Sequence, residues 1–300
     1  MTSEKEEIYW EATKRNLGLF SEPEQERLRN ARVAVAGLGG VGGIHLVTLA
    51  RMGIGNFNIA DHDIFEPVNF NRQYGASLDT VGRSKTDVMR ETALSINPLA
   101  GIKVFSEGID GSNIDEFLEG VDLAVDAVDF FAIDARRLLF NKARDKGIYA
   151  VTSGPIGFGA TLQVFSPTGM SFDEYFGISE GMDYVRKMIA FSVGLTPRPL
   201  HLGYMDLSKV DLRAGTGPSM ASACALCANL VATAAVDILL NRKPVKAAPH
   251  YFQFDPYRQV YKKGYLFMGG RNPLQAFKRW FLRRKLRPML GGADGNGNRG

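Results

Sequence analysis

The chain predicts an α/β fold: a doubly wound, mostly parallel sheet that finishes in antiparallel strands and a basic C-terminal helix. Short apolar runs suited to buried parallel strands open it, beginning with Arg32-Val-Ala-Val-Ala36. Segments of helical period alternate with them in the order β-α-β-α-β-α-β-α-β as far as Thr152. Beyond Gly159 period-two alternation and a hairpin signal mark the passage to antiparallel pairing.

Residues 3–14 read as a charged, loosely held lead-in with Tyr9 and Trp10 as its large anchors. Ser21 caps a helix over 23–30, with Pro23 in its first turn. The first strand runs into Gly37, Gly39, Gly40 and Gly42, which let the chain turn sharply into an apolar helix over 41–52. Unpaired N–H groups and the positive end of that helix's dipole make the turn a phosphate cradle. His45 within the helix reads as a packed histidine. A second strand (57–60) delivers Asp61, placed to meet ribose hydroxyls. Pro67 then opens a loop carrying Asn69, Arg72 and Gln73, and a helix over 81–96 puts Lys85 on its first turn. A lysine there opposes the dipole, so an anionic ligand explains it better than stability does.

A strand over 102–105 and a short helix over 113–118 lead to a strand (121–125) that brings Asp126 and Asp129 to the sheet's C-terminal edge, where open α/β sheets bind ligands. The helix over 133–146 carries Arg136 and Arg137, for which a solvated face is as good an account as a functional one. Strands at 148–152 and 161–165 follow. Residues 166–218 form a divergent segment with short helical pieces, notably 183–193. The almost uncharged run 220–240 has transmembrane length, but its Ala, Ser, Thr and Asn content and Asp237 favour a buried core helix. Residues 250–254 and 258–263 form a hairpin around Asp255-Pro256. A basic amphipathic helix over 273–286 aligns Leu274, Phe277, Phe281 and Leu282, with Lys278, Arg279, Arg283 and Lys285 around them, a pattern that suits packing on a partner subunit, an anionic bilayer or nucleic acid alike. The organisation expected is an arm and helix (1–30), one main domain (31–265), the basic helix (266–290) and a Gly/Asn-rich disordered tail (291–300).

The 300 residues are 45% hydrophobic, enough for a sizeable core. A net charge of +4 conceals a lopsided chain: residues 242–300 hold 14 Lys/Arg against 2 Asp/Glu, which leaves the remainder at −8. A nucleic-acid or anionic-membrane contact, if the chain makes one, is therefore to be sought at the C-terminal end. Two cysteines three positions apart, and an acidic start without an apolar h-region, point to a reducing cytoplasm.

The glycine pattern by itself is shared by NAD enzymes, flavoproteins and ATP users. Asn69, Arg72, Gln73 and Lys85 narrow it, because such side chains suit triphosphate oxygens and are unnecessary for a nicotinamide dinucleotide. Gly37-x-Gly39-Gly40-Val-Gly42, Asp61-x-Asp63, Asn69-x-x-Arg72-Gln73, Gly82-x-x-Lys85 and Asp126-x-x-Asp129 together resemble the ThiF/MoeB/HesA family, relatives of the ubiquitin-activating enzymes. The resemblance covers roughly residues 15–165. It implies a Rossmann-like adenylation domain that binds Mg-ATP and activates a carboxylate, typically the C-terminal glycine of a small ubiquitin-like or sulfur-carrier protein. It further implies a homodimer in which Arg15 reaches the partner's ATP site, magnesium on Asp129, and phosphates met by Arg72 and Lys85. Asp61, Asp63, Asn69 and Gln73 would orient the nucleotide.

Relatives that form a thioester carry a cysteine in the segment matching 166–218. Here none precedes Cys224. Many relatives also hold a structural zinc on two C-x-x-C pairs, whereas Cys224-Ala-Leu-Cys227 is a single pair, so zinc would need His201 or His250 and packed thiols are the favoured reading. Alternatives from other classes are a family branch acting on a modified tRNA base, a NAD-binding oxidoreductase and a non-catalytic partner protein.

Overall fold

The computed structural model describes residues 2–211 and 216–286. Helices α1 (Thr2–Thr13) and α2 (Glu22–Asn30) lead into β1 (Arg32–Ala36), α3 (Gly42–Arg51) and β2 (Asn56–Ala60). Then come α4 (Lys85–Ile96), β3 (Gly101–Phe105), α5 (Ile114–Phe117), β4 (Leu123–Asp126), α6 (Ile133–Asp145) and β5 (Tyr149–Thr152). The second part holds β6 (Pro155–Ile156), β7 (Gly159–Phe165), α7 (Phe172–Phe176), α8 (Tyr184–Leu195) and α9 (Ala221–Leu240). It closes with β8 (His250–Asp255), β9 (Val260–Tyr265) and α10 (Pro273–Leu286).

The strands lie in the order β3-β2-β1-β4-β5-β7-β8-β9, parallel from β3 to β5 and antiparallel from there on, with β6 paired to β7. Strand direction reverses where expected, so the α/β architecture and its antiparallel end agree with the reading of the sequence. Central β1 shows how two faces are covered at once. Val33 and Val35 join Leu46, Met89 and Val231 on the side of α3, α4 and α9, while Ala34 and Ala36 join Ile114, Leu139 and Phe140 on the side of α5 and α6. That alternation is the period of two of a strand buried on both faces.

Several local expectations change. The lead-in is helical and docked: buried Tyr9 donates its hydroxyl to the Gly53 carbonyl (2.8 Å) and accepts from Gln25 Nε2 (3.0 Å). Its helix has no broad apolar stripe to announce it, only Tyr9 and Thr13 one turn apart, both buried. Ser21 caps α2 as expected, in a reciprocal pair with Glu24. α4 begins at Lys85 rather than residue 81, because Gly82 has φ +81° and Ser84 is not helical. Arg136 and Arg137 are buried, not solvated. Half of α9 is buried, and it packs against α3 and β7 as a core helix does. On α10 Leu282 lies on the half-buried side and Trp280 takes its place on the exposed stripe. The tail 291–300 lies outside the described residues.

Candidate functional site

Sequence order runs outward from β1 in both directions, to β2 and β3 on one side and β4 and β5 on the other. The crevice at the C-terminal ends of β1 and β4 is therefore the switch point of the sheet. Two turns meet there without spare room. A Cβ added to Gly37, whose φ is +93°, would lie 2.2 Å from the Ala127 carbonyl oxygen, and one on Gly42 would lie 1.9 Å from the Gly37 carbonyl oxygen. Only glycine permits this approach, and the uncapped start of α3 follows directly.

Asp61 leaves β2 as expected and ties the loop down. Its Oδ2 accepts from the Leu38 N–H (2.6 Å) and its Oδ1 from the Asp63 N–H (2.9 Å). Lys85 is buried, and its Nζ reaches Asp63 Oδ2 at 2.8 Å, so the ammonium has a counter-ion within the chain. Asp61, His62 and Asp63 form the one group of three potential metal-ligating side chains among the described residues, with ligand atoms within 4.8 Å of one another. Asp129, to which the family resemblance assigns magnesium, does not belong to this group.

The loop after β2 lies over the glycines. Buried Asn69 accepts from the Glu66 N–H through Oδ1 (3.0 Å), and its carbonyl accepts from the N–H groups of Arg72 and Gln73 (3.1 and 2.9 Å). Asn69 thus shapes the turn that aims its neighbours. Gln73 is buried with Oε1 unpartnered and Nε2 facing Gly39, 3.7 Å from where a Cβ would be. The stem of Arg72 lies beside Gly40, while its Nη1 donates to the Val68 carbonyl (3.0 Å) and to Asn71 Oδ1 (2.9 Å).

Across the crevice Asp129 is exposed, its Oδ1 accepting from the Phe131 N–H (2.8 Å). Asp126 is buried against Arg136, whose Nε donates to Oδ2 at 2.7 Å. The same guanidinium donates to the Val128, Asp129 and Phe130 carbonyls and lies 4.4 Å from the centre of the Phe191 ring. Arg136 therefore holds the turn that carries Asp129. The sequence leaves a functional role and a solvated face equally open for Arg136, and burial removes the second; its place on the first turn of the helix after an Asp-x-x-Asp strand end is the available signal. Arg137 makes a two-pronged ion pair with Asp173 (2.8 and 2.6 Å), which raises its pKa and fastens α6 to α7.

Arg15 is exposed in a turn whose Asn16 is bonded to the Met52 carbonyl, at the C-terminal end of α3. The ten residues of α3 put that end about 15 Å from the glycine loop, so Arg15 does not join the site of its own chain. Cys224, in the first turns of α9, brings its Sγ to 3.3 Å from the Cβ position of Gly40. Burial pushes its thiol pKa up, against lowering contributions from Ser219 and Arg72, and burial pushes Cys227 up further. Both thiols are free, and among the described residues neither belongs to a group of three metal-ligating side chains. The set does not fit a zinc site, which needs four ligands.

The cradle formed by the glycines, Gln73, Arg72 and the ion pair of Lys85 has the donors and the narrow backbone clearance that a nucleoside phosphate requires. Comparison with known proteins bears on which family uses such a cradle. A family model described as ThiF family matches residues 12–265. A tRNA threonylcarbamoyladenosine dehydratase of Haemophilus influenzae is 36% identical over 140 residues, covering 46% of this chain and 53% of that protein. A probable adenylyltransferase/sulfurtransferase MoeZ of Mycobacterium tuberculosis is 38% identical over 119 residues, 40% of this chain and 30% of that one. The matched stretch thus spans about half or less of these relatives. Among solved structures, PaaA superposes with a TM-score of 0.65 at 21% identity over 85% of this chain and 73% of its own. MccB of Escherichia coli, crystallised with ATP, gives 0.60 at 20% identity over 84% and 67%. At those identities the likeness is one of fold.

Proposed function

Since the chain belongs to the ThiF family, we propose that it is an ATP-dependent adenylyltransferase that activates a carboxylate. The observation that carries the reading is the convergence of a glycine turn, Arg72, Gln73 and the Lys85–Asp63 pair at the switch point of the sheet. An ionised carboxylate is already nucleophilic at neutral pH, so the reaction needs no general base. One of its oxygens attacks the α-phosphorus of ATP, a P–O bond forms, and the bond to the β-phosphate oxygen breaks with release of pyrophosphate. The barrier comes from bringing two anions together, which cations and N–H donors lower.

In this reading Arg72 turns from the Val68 carbonyl toward the phosphates and Lys85 exchanges part of its hold on Asp63 for them. Gln73 uses its free amide on the nucleotide, and Asp61 offers its remaining lone pairs to the ribose. Asp129 would hold magnesium, which would neutralise phosphate charge; Arg136 keeps that aspartate's turn in place. Arg15, remote from its own site, would serve the site of a second copy in a homodimer. The acceptor would be the C-terminus of a small carrier protein or peptide, and free thiols suit a reducing cytoplasm. Support comes from relatives described as adenylyltransferases and as a SAMP-activating enzyme E1. A second reading, action on a modified tRNA base, draws on the dehydratase relative and on the basic C-terminal end.

Pyrophosphate exchange, run with a panel of Gly-Gly-ending carriers, peptides and total tRNA, tests both readings. Lys85→Met, which keeps the buried stem, should lower exchange by about a thousandfold, on the scale of losing a charge-stabilising group. Exchange retained in a folded Lys85→Met protein would remove the role. Mixing inactive Arg15→Ala and Lys85→Met proteins should restore part of the activity only if Arg15 works across the subunit boundary.

A further inference from the structure

We propose that the outward face of α10 is a docking surface for anionic phospholipid bilayers, separate from the adenylation site. The helix is fastened to the body on one side only: Gln275 is buried and Lys278 Nζ donates to the Pro197 carbonyl at 2.8 Å. On the other side Leu274, Phe277, Trp280 and Phe281 stand 58%, 58%, 55% and 55% exposed. Single exposed apolar residues are ordinary, but four large ones on one face of one helix make a patch, with the Phe277 ring 5.8 Å from that of Trp280 and 6.4 Å from that of Phe281.

The charge around the patch selects the occupant. Residues 256–286 contain nine Lys/Arg and no Asp/Glu. Arg283, Arg284 and Lys285 are exposed at the far end of the helix, Arg284 lying 5.8 Å from the centre of the Trp280 ring, and among the described residues none of them is in an ion pair. A two-fold contact with a second copy would bring two such basic surfaces together, and residues 256–286 supply no carboxylate to pair with them. Double-helical nucleic acid would use the cations and leave four apolar side chains in water, and unpaired bases stacked on the rings would leave Leu274 without a partner. A bilayer with anionic headgroups uses both sets: the aromatic rings enter the boundary between headgroups and acyl chains, and the basic side chains meet lipid phosphates and carboxylates. Fourteen residues of helix measure about 21 Å, short of a span, so α10 would lie in the plane of the interface.

The test uses the full chain and vesicles of phosphatidylcholine alone or mixed with phosphatidylserine. The protein should co-sediment with the mixed vesicles, release in high salt, and ignore pure phosphatidylcholine. In a Trp10→Phe background, which leaves Trp280 as the sole tryptophan, emission should shift to the blue on binding. Phe277→Ser/Phe281→Ser should weaken the partition by about a hundredfold, roughly tenfold for each ring removed from the interface. Arg283→Gln/Arg284→Gln/Lys285→Gln should weaken it by about as much, at roughly fivefold per charge. Absence of sedimentation with an unshifted Trp280 would overturn the proposal, as would a serine double variant that binds like the parent. It would equally fall if vesicles are ignored while the serine variant dissolves a dimer, or while tRNA binding depends on the three cations alone. Pyrophosphate exchange without vesicles should be unchanged in the serine variant, which keeps this outcome distinct from the fate of the adenylation reading.

Discussion

The glycine loop follows β1 and the aromatic segment follows β7 of the same sheet, and the two are built in opposite ways. Around Gly37 and Gly42 the arrangement depends on backbone touching backbone, and a single added carbon has nowhere to go. Around Phe172 it depends on rings: Phe172 lies 4.6 Å from Phe140 and 4.5 Å from Phe176, and Phe176 lies 4.9 Å from Phe191. Backbone contact is specific to residue type, whereas apolar packing accepts many sequences of similar volume. That difference explains why a motif can announce the first region but not the second.

Asp126 and Arg136 join the two regions, since the guanidinium touches the Asp129 turn on one side and the Phe191 ring on the other. Breaking that pair gives the largest effect expected. Asp126→Ala leaves a buried guanidinium without its counter-ion and should cost about 3–5 kcal/mol in urea denaturation. A loss under about 1 kcal/mol would mean that the regions are held together by packing alone.

A matched pair of substitutions separates the two kinds of construction. Gly42→Ala, with its Cβ 1.9 Å from a carbonyl oxygen, should cost about 2–3 kcal/mol and weaken nucleotide binding measured by calorimetry. Phe172→Leu should cost about 1–1.5 kcal/mol and leave nucleotide affinity alone. Equal effects on affinity would erase the distinction between a backbone-built and a packing-built region.

The smallest effect is a pH dependence located on α3. His45 is fully buried with neither ring nitrogen partnered, and burial holds its pKa down to about 3. Unfolded, it titrates near 6.5, so between those values the unfolded chain binds a proton that the folded one does not, and stability falls as pH falls. The loss should reach about 1.3 kcal/mol at pH 5.5 relative to neutral pH. His45→Leu should flatten that part of the profile; an unchanged slope would show that carboxylates carry it.

Much of the site was legible as residues in order. The spacing of Gly37, Gly39, Gly40 and Gly42, Asp61 at a strand end and Lys85 on a first helical turn all stand at the C-terminal ends of β1 and β2 or on the helices that follow. These are local signals, because turn geometry and strand period depend on near neighbours. The burial of Arg136 and the docking of α1 through Tyr9 were not legible, since each depends on what lies opposite in space.

Local pattern therefore determined the strand order's alternation with helices, the glycine turn, the cap at Ser21 and the hairpin at Asp255. Tertiary structure alone decided that Asp61 holds the loop backbone, that Lys85 leans on Asp63, that Cys224 backs onto Gly40, and that Arg15 lies at the wrong end of α3 for its own site. The reason is physical: periodicity and turn chemistry act over a few residues, while the partner of a buried charge or a close-packed thiol is set by chain segments brought together only on folding.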